Sequence, residues 1–180
     1  MIERCRKSDA SAQFELYKLY SKAMFNTAYR IIGEQTEAED ALQEAFVSAF
    51  KNLHTYRGDA TFGAWLKKIV VNKSLSSLQK NKREVLTVSD KEEDGDLEAA
   101  LVNVAEVSVM EPTYSVEAIK LAVKQLPAGF RTVLSLYLFE GYDHQEISEI
   151  LGISESTSKT QYKRAKDRLK VLLGKEVNYG

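Results

Sequence analysis

Cysteine is almost absent from this chain of 180 residues: Cys5 stands alone, so no internal disulfide can form. Histidine is nearly as scarce, at His54 and His144, and these three residues give neither a spaced metal-ligand set nor a positioned nucleophile. No metal and no other cofactor is expected, and a hydrolase or metalloenzyme reading fails on inventory. Proline occurs only at Pro112, which closes an acidic segment, and at Pro127, which suits the first turn of a helix. Long apolar runs are missing too. Nothing approaches the roughly 18 residues of a membrane span, and the charged N-terminus, MIERCRKSDA, is not followed by the apolar segment of a signal peptide. The cytoplasm is the expected compartment, without membrane insertion.

The 44% hydrophobic content supports one domain or two small ones with real cores. A net charge of −1 looks wrong for a nucleic-acid binder until it is divided along the chain. Residues 1–83 carry +5, residues 84–112 carry −8 with Lys91 as their single base, and residues 113–180 carry +2. Two basic bodies flank an acidic, glycine-bearing segment, which reads as a flexible linker.

In the first body, apolar residues from Ala10 to Ile32 recur at helical spacing until Gly33 stops them. Thr36 is expected to cap a second helix with Ala38, Ala41, Leu42, Ala45, Phe46, Ala49 and Phe50 inward. Its outward face, with Glu37, Glu39, Asp40, Gln43 and Glu44, is acidic, which periodicity alone cannot tell from an ordinary wet face. A third helix starts near Thr61 and turns Phe62, Trp65, Leu66, Ile69, Val70 and Leu75 inward. Its far side offers Lys67, Lys68, Asn72 and Lys73, with Tyr56, Arg57 and Asp59 in the loop before it. Cations interleaved with aromatics suit a single strand, since cations track phosphate and aromatic faces accept unstacked bases. The bland alternative is a core Trp and Phe beside surface lysines.

The second body centres on Asp143 to Lys175, which reads as a helix-turn-helix. Before it, helices run from Ser115 through Val116, Ile119, Leu121, Ala122, Val123 and Leu126, and from Pro127 with Phe130, Val133, Leu134, Tyr137 and Leu138 inward. Asp143 and Glu146 form a capping box, Gly152 ends that helix, and Ser154 caps the next. On this last helix Ser158, Tyr162, Ala165, Leu169 and Leu172 share one face, and Lys159, Lys163, Lys166 and Lys170 another. Residues 140–155 hold five acids and no base, whereas 156–175 hold seven bases and one acid. The second helix of such a unit enters the DNA major groove N-terminus first. Glu155, Ser156, Thr157, Lys159, Thr160 and Gln161 are therefore the readout candidates, with Lys163, Arg164 and Lys166 on the backbone.

These stretches, in this order, resemble the extracytoplasmic-function group of the bacterial sigma-70 family. The resemblance rests on AEDALQEAF (38–46), YRGDATFGAWLKKIVVNKSLSSL (56–78), LPAGFRTVLSLYLFEGYDHQEISEILGIS (126–154) and the KTQYKRAKDRL that follows. It implies an all-α fold: a helical region 2 domain over 1–83, an acidic linker over 84–112 and a region 4 helix-turn-helix domain over 113–180. It implies that Asp40, Gln43 and Glu44 dock on the clamp coiled coil of core RNA polymerase, the flap being a further contact. Tyr56, Arg57, Asp59, Phe62, Lys68, Asn72 and Lys73 would hold the promoter −10 element as a single strand. Ser156, Thr157, Lys159, Thr160, Gln161, Lys163, Arg164 and Lys166 would read the −35 duplex. An anti-sigma partner is implied, and neither catalysis nor a small-molecule substrate. Ser156, Ser158 and Gln161 stand where the family usually has Gly, Val and Arg, and Gln79 where a base is common. Gln161 favours adenine over guanine, and the Ser158 hydroxyl is expected to bond a carbonyl one turn earlier. Two other classes compete: a free-standing duplex-binding regulator, and an all-helical adaptor that binds no nucleic acid.

Overall fold

The computed structural model describes residues 1–81 and 114–177, and among them every regular element is a helix. The chain divides into two compact units, Met1–Arg83 and Glu84–Gly180. The segment 84–112, expected to be the linker, lies outside the described residues.

The first unit opens with a short helix, α1 (Ile2–Arg6), followed by α2 (Ala10–Ile32), α3 (Gln35–Lys51), a 3-10 turn (Leu53–Thr55) and α4 (Phe62–Asn81). Asp9 starts α2 by accepting from the Ala12 N–H at 3.1 Å. Gly33 ends it at φ 83°, where a side chain would be strained. Glu34, and not the expected Thr36, caps α3, its two carboxylate oxygens accepting from Thr36 N at 3.1 Å and Glu37 N at 2.7 Å. The left-handed Gly33 leaves the next residue already extended, so the helix begins two positions early, and a carboxylate satisfies two orphan N–H groups where a hydroxyl satisfies one.

Helices α2, α3 and α4 each pack on the other two. The inner face of α3 is largely alanine (Ala38, Ala41, Ala45, Ala49), which lets both neighbours approach closely, and Leu42 and Phe46 fill what remains. Ile31, Leu53, Leu66, Val70 and Val71 complete a core with almost no exposed surface. Ser74 is buried within it and donates to the Val70 carbonyl at 2.8 Å, so the hydroxyl costs little. Trp65 is only half-buried, on the rim of the core and not inside it.

The second unit holds α5 (Val116–Gln125), α6 (Ala128–Leu138), α7 (His144–Leu151) and α8 (Glu155–Val177). The other three all pack on α8. Val123, Leu126, Phe130, Leu134 and Ala165 form the core, with Tyr162, Leu169 and Leu172 against it. Pro127 is the N-cap of α6, one position before the first turn where it was expected. Arg131 is buried and donates from Nη1 to the carbonyls of Lys124 and Leu126, both at 3.2 Å, which satisfies the end of α5. Tyr137 and Leu138, expected inward, are exposed, as are Val116, Ile119 and Leu121. Burial of α6 is continuous from Gly129 to Leu136 and then stops, while α5 is buried only through Ala122 and Val123. Helical spacing gives a face, but a neighbour must be there to cover it.

Candidate nucleic-acid interface

In the second unit the turn between α7 and α8 is fixed by its own side chains. Asp143 Oδ1 accepts from Glu146 N at 2.8 Å and Glu146 Oε2 accepts from Asp143 N at 2.9 Å, a complete capping box. Gly152 takes φ 66°, and the Ile153 N–H closes on the Ser148 carbonyl at 3.1 Å. Ser154 then caps α8 by accepting from Thr157 N at 3.0 Å.

These bonds decide what the start of α8 presents. The hydroxyls of Ser156 and Thr157 lie 2.9 and 2.8 Å from Ser154 Oγ, and Thr160 donates to the Ser156 carbonyl at 2.9 Å. Lys159 pairs with Glu155 at 2.6 Å, an exposed i,i+4 bridge that contributes a few tenths of a kcal/mol and yields readily to a stronger anion. Gln161 is half-buried and Lys163 exposed; Arg164 is half-buried. Lys166 Nζ sits 4.6 Å over the Tyr162 ring. All eight predicted duplex-reading residues thus lie along the first three turns of α8.

Ser158 is fully buried and does not bond to a carbonyl one turn back. Its Oγ lies 2.9 Å from His144 Nδ1, across the two helices. The imidazole stacks on Tyr137 at 4.6 Å between centroids, and Tyr137 meets Tyr162 at 4.5 Å. This stack sets the angle of α8 against α7; sequence reasoning placed Tyr137 only among the inward residues of its helix and gave His144 no structural role. Ser158→Ala removes the hydroxyl and leaves the ring nitrogen unmatched. The second unit is expected to lose about 1 kcal/mol, read as a lower thermal midpoint.

In the first unit, Tyr56 begins an exposed loop in which Gly58 takes φ 85°. The Tyr56 hydroxyl donates to the Ala60 carbonyl at 2.8 Å, and its ring meets Phe62 at 5.7 Å and Trp65 at 5.5 Å. Phe62 is itself 6% exposed and packs edge-on against Tyr20, so it backs the platform that half-buried Tyr56 and Trp65 present. Arg57, Asp59, Lys68 and Asn72 are exposed beside it. Gly63 packs closely here: a Cβ would stand 3.0 Å from the Tyr20 ring, which would have to give by a few tenths of an ångström. On α3, Asp40, Gln43 and Glu44 form an exposed row, and Gln43 lines a groove of about 420 Å³ between α2 and α3. Glu44 accepts from Lys73 at 3.3 Å, so the acidic row of α3 and the cationic row of α4 meet along one edge.

Comparison with known proteins identifies both units. Residues 16–84 match sigma-70 region 2, and residues 116–169 match sigma-70 region 4. The ECF RNA polymerase sigma factor SigM of Bacillus subtilis is 31% identical over 91% of this chain and 96% of its own length. The chain belongs to the ECF sigma factors of the sigma-70 family. SigW of the same organism is 27% identical over 94% of the chain and 92% of that protein. Among solved structures, the sigma factor RpoE of Bartonella quintana, in complex with the anti-sigma factor NepR, shares the fold. Its TM-score is 0.58 with 22% identity, covering 89% of this chain and 95% of that one. As a sigma factor, the chain directs promoter-specific transcription initiation by RNA polymerase. The aromatic-cationic loop lies within the region 2 match, and the region 4 match takes in the helix-turn-helix as far as Leu169.

Proposed function

We propose that the two units divide promoter recognition between a strand-capturing region 2 and a duplex-reading region 4, over residues 1–83 and 113–180. In this reading Asp40, Gln43 and Glu44 dock on the clamp of core polymerase. Tyr56, Arg57, Asp59, Lys68, Asn72 and Lys73, backed by Phe62, receive the unpaired −10 strand. Ser156, Thr157, Lys159, Thr160 and Gln161 face −35 base edges, and Lys163, Arg164 and Lys166 the phosphates. The observation that carries the reading is the edge where Glu44 of the acidic row meets Lys73 of the cationic row, 3.3 Å apart. One small body thereby offers polymerase and single strand adjacent surfaces. The protein supplies binding energy and strand capture, while the polymerase supplies the phosphoryl transfer. It works in the cytoplasm, and a regulator comparable to the NepR of the Bartonella complex holds it when it is not needed.

The test is transcription by purified core polymerase on a genomic library, with and without the protein, with start sites mapped. New starts sharing two upstream elements support the reading. Duplex binding without polymerase and no new starts would favour a free-standing regulator instead.

Lys163 tests the assignment of phosphates. No carboxylate pairs with it among the described residues, so its charge is available. Lys163→Ala is expected to weaken −35 binding uniformly across sequences and to reduce the slope of log affinity against log salt by about 0.9. A change confined to sequence preference would place Lys163 on a base.

A further inference from the structure

Helix α1 lies outside the stretch that matches sigma-70 region 2, which begins at residue 16, yet it is firmly seated. Cys5 is 2% exposed, and its carbonyl accepts from Gln13 Nε2 at 3.4 Å. Arg4 Nε donates to Asp9 Oδ2 at 2.8 Å, beside the bond by which Asp9 caps α2. The Ala12 N–H, and then Arg4, hold the Asp9 carboxyl below its ordinary range, so the anchor stays ionised into mild acid. From this seat Arg6 turns the other way. Its Nη1 donates to Glu3 at 2.6 Å and its Nη2 to the backbone carbonyl of Tyr56 at 2.5 Å, fifty residues along the chain.

Tyr56 is where the backbone leaves the 3-10 turn for the exposed loop. Its N–H is satisfied by the Leu53 carbonyl at 3.2 Å, and its carbonyl by Arg6, so the peptide units on both sides of its Cα are fixed. The ring that leans on Phe62 and Trp65 inherits its direction from that backbone. We propose that α1 is a strap that holds the Tyr56 loop in its strand-receiving shape, with Arg6 as the positioning residue, acting through the Tyr56 carbonyl without touching DNA. The inference rests on the assignment of this loop to −10 capture. A planar guanidinium suits the task because it bonds Glu3 and Tyr56 at once in fixed directions. A loop ordered beforehand loses less freedom when the strand arrives. The effect therefore belongs to strand opening and not to the first encounter with duplex.

The experiment uses holoenzyme assembled from core polymerase and the full chain, on a promoter found by start mapping, with a fluorescent base in the −10 element. Initial affinity and opening rate are measured separately. Arg6→Ala is expected to slow opening by roughly tenfold, the loss of one charge-assisted hydrogen bond, with initial affinity and its salt dependence unchanged. Arg6→Lys keeps a donor of similar reach and is expected to recover part of the rate. Opening by Arg6→Ala at the wild-type rate overturns the proposal. So does a fall in initial affinity with a shallower salt slope, which would make Arg6 a phosphate contact. Should wild-type holoenzyme bind the promoter but open none of it, the −10 assignment itself falls, and the strap with it.

Discussion

Leu134→Ala is expected to lower the thermal midpoint of the second unit by on the order of 15 °C and to abolish −35 binding. Leu134 has no exposed surface and lies in the cluster that joins α5 and α6 to Ala165 of α8. Truncation at such a site costs about 3 kcal/mol through lost transfer energy and the cavity left behind. A helical unit of this size has only several kcal/mol to lose, and each kcal/mol moves the midpoint of so small a domain by about 4–8 °C. The chain provides its own control, because its one tryptophan, Trp65, lies in the first unit. Tryptophan emission should follow an unshifted transition while helical circular dichroism shows an early one. A midpoint displaced by only a degree or two would mean that Leu134 does not hold this core.

The second large effect is expected on polymerase binding. Asp40 and Glu44 stand one turn apart on the exposed face of α3, and truncating both should raise the dissociation constant for core polymerase roughly 30-fold, about 2 kcal/mol, in the range of paired interface charges. The fold should be untouched, since neither side chain is buried. The bridge to Lys73 is largely exposed and contributes at most about 1 kcal/mol. Lys73→Ala is the companion measurement, because it breaks the same bridge while leaving the acidic row in place. Equal losses from the two variants would show that the bridge matters and that the carboxylates do not meet the polymerase. An unchanged affinity in the double variant would remove the α3 face from the interface altogether.

What the sequence disclosed follows from the range of the interactions involved. The Asp143–Glu146 box, the Gly152 stop and the Ser154 cap are closed within a few residues, so the helix-turn-helix could be read directly. The inner faces of α3 and α4 were legible because each helix packs on two others, except that Trp65, read as inward, lies on the rim. Leu138 and Leu121 show where that reasoning ends, since spacing cannot say whether a neighbour covers that part of the face. Ser158 shows a second limit. A buried hydroxyl had to find a partner, but the one it found is fourteen residues away on another helix. The Arg6–Tyr56 bond is of the same kind, and charge pattern gave no hint of it. Glu34 was missed for a local reason, because the expected cap assumed that a hydroxyl residue would outrank the carboxylate two positions before it.

In the proposed reading, helix α8 carries recognition and cohesion on one rod, but at different stations: Lys159, Thr160 and Gln161 near its start face the bases, while Ala165, Leu169 and Leu172 farther along pack the core. Substitutions at the first station can explore new promoters while the second keeps the domain folded, so a duplicated gene could change its targets without first acquiring stability to spare. Ser158 is the point where the two stations overlap, because its hydroxyl ties the start of α8 to His144 of α7.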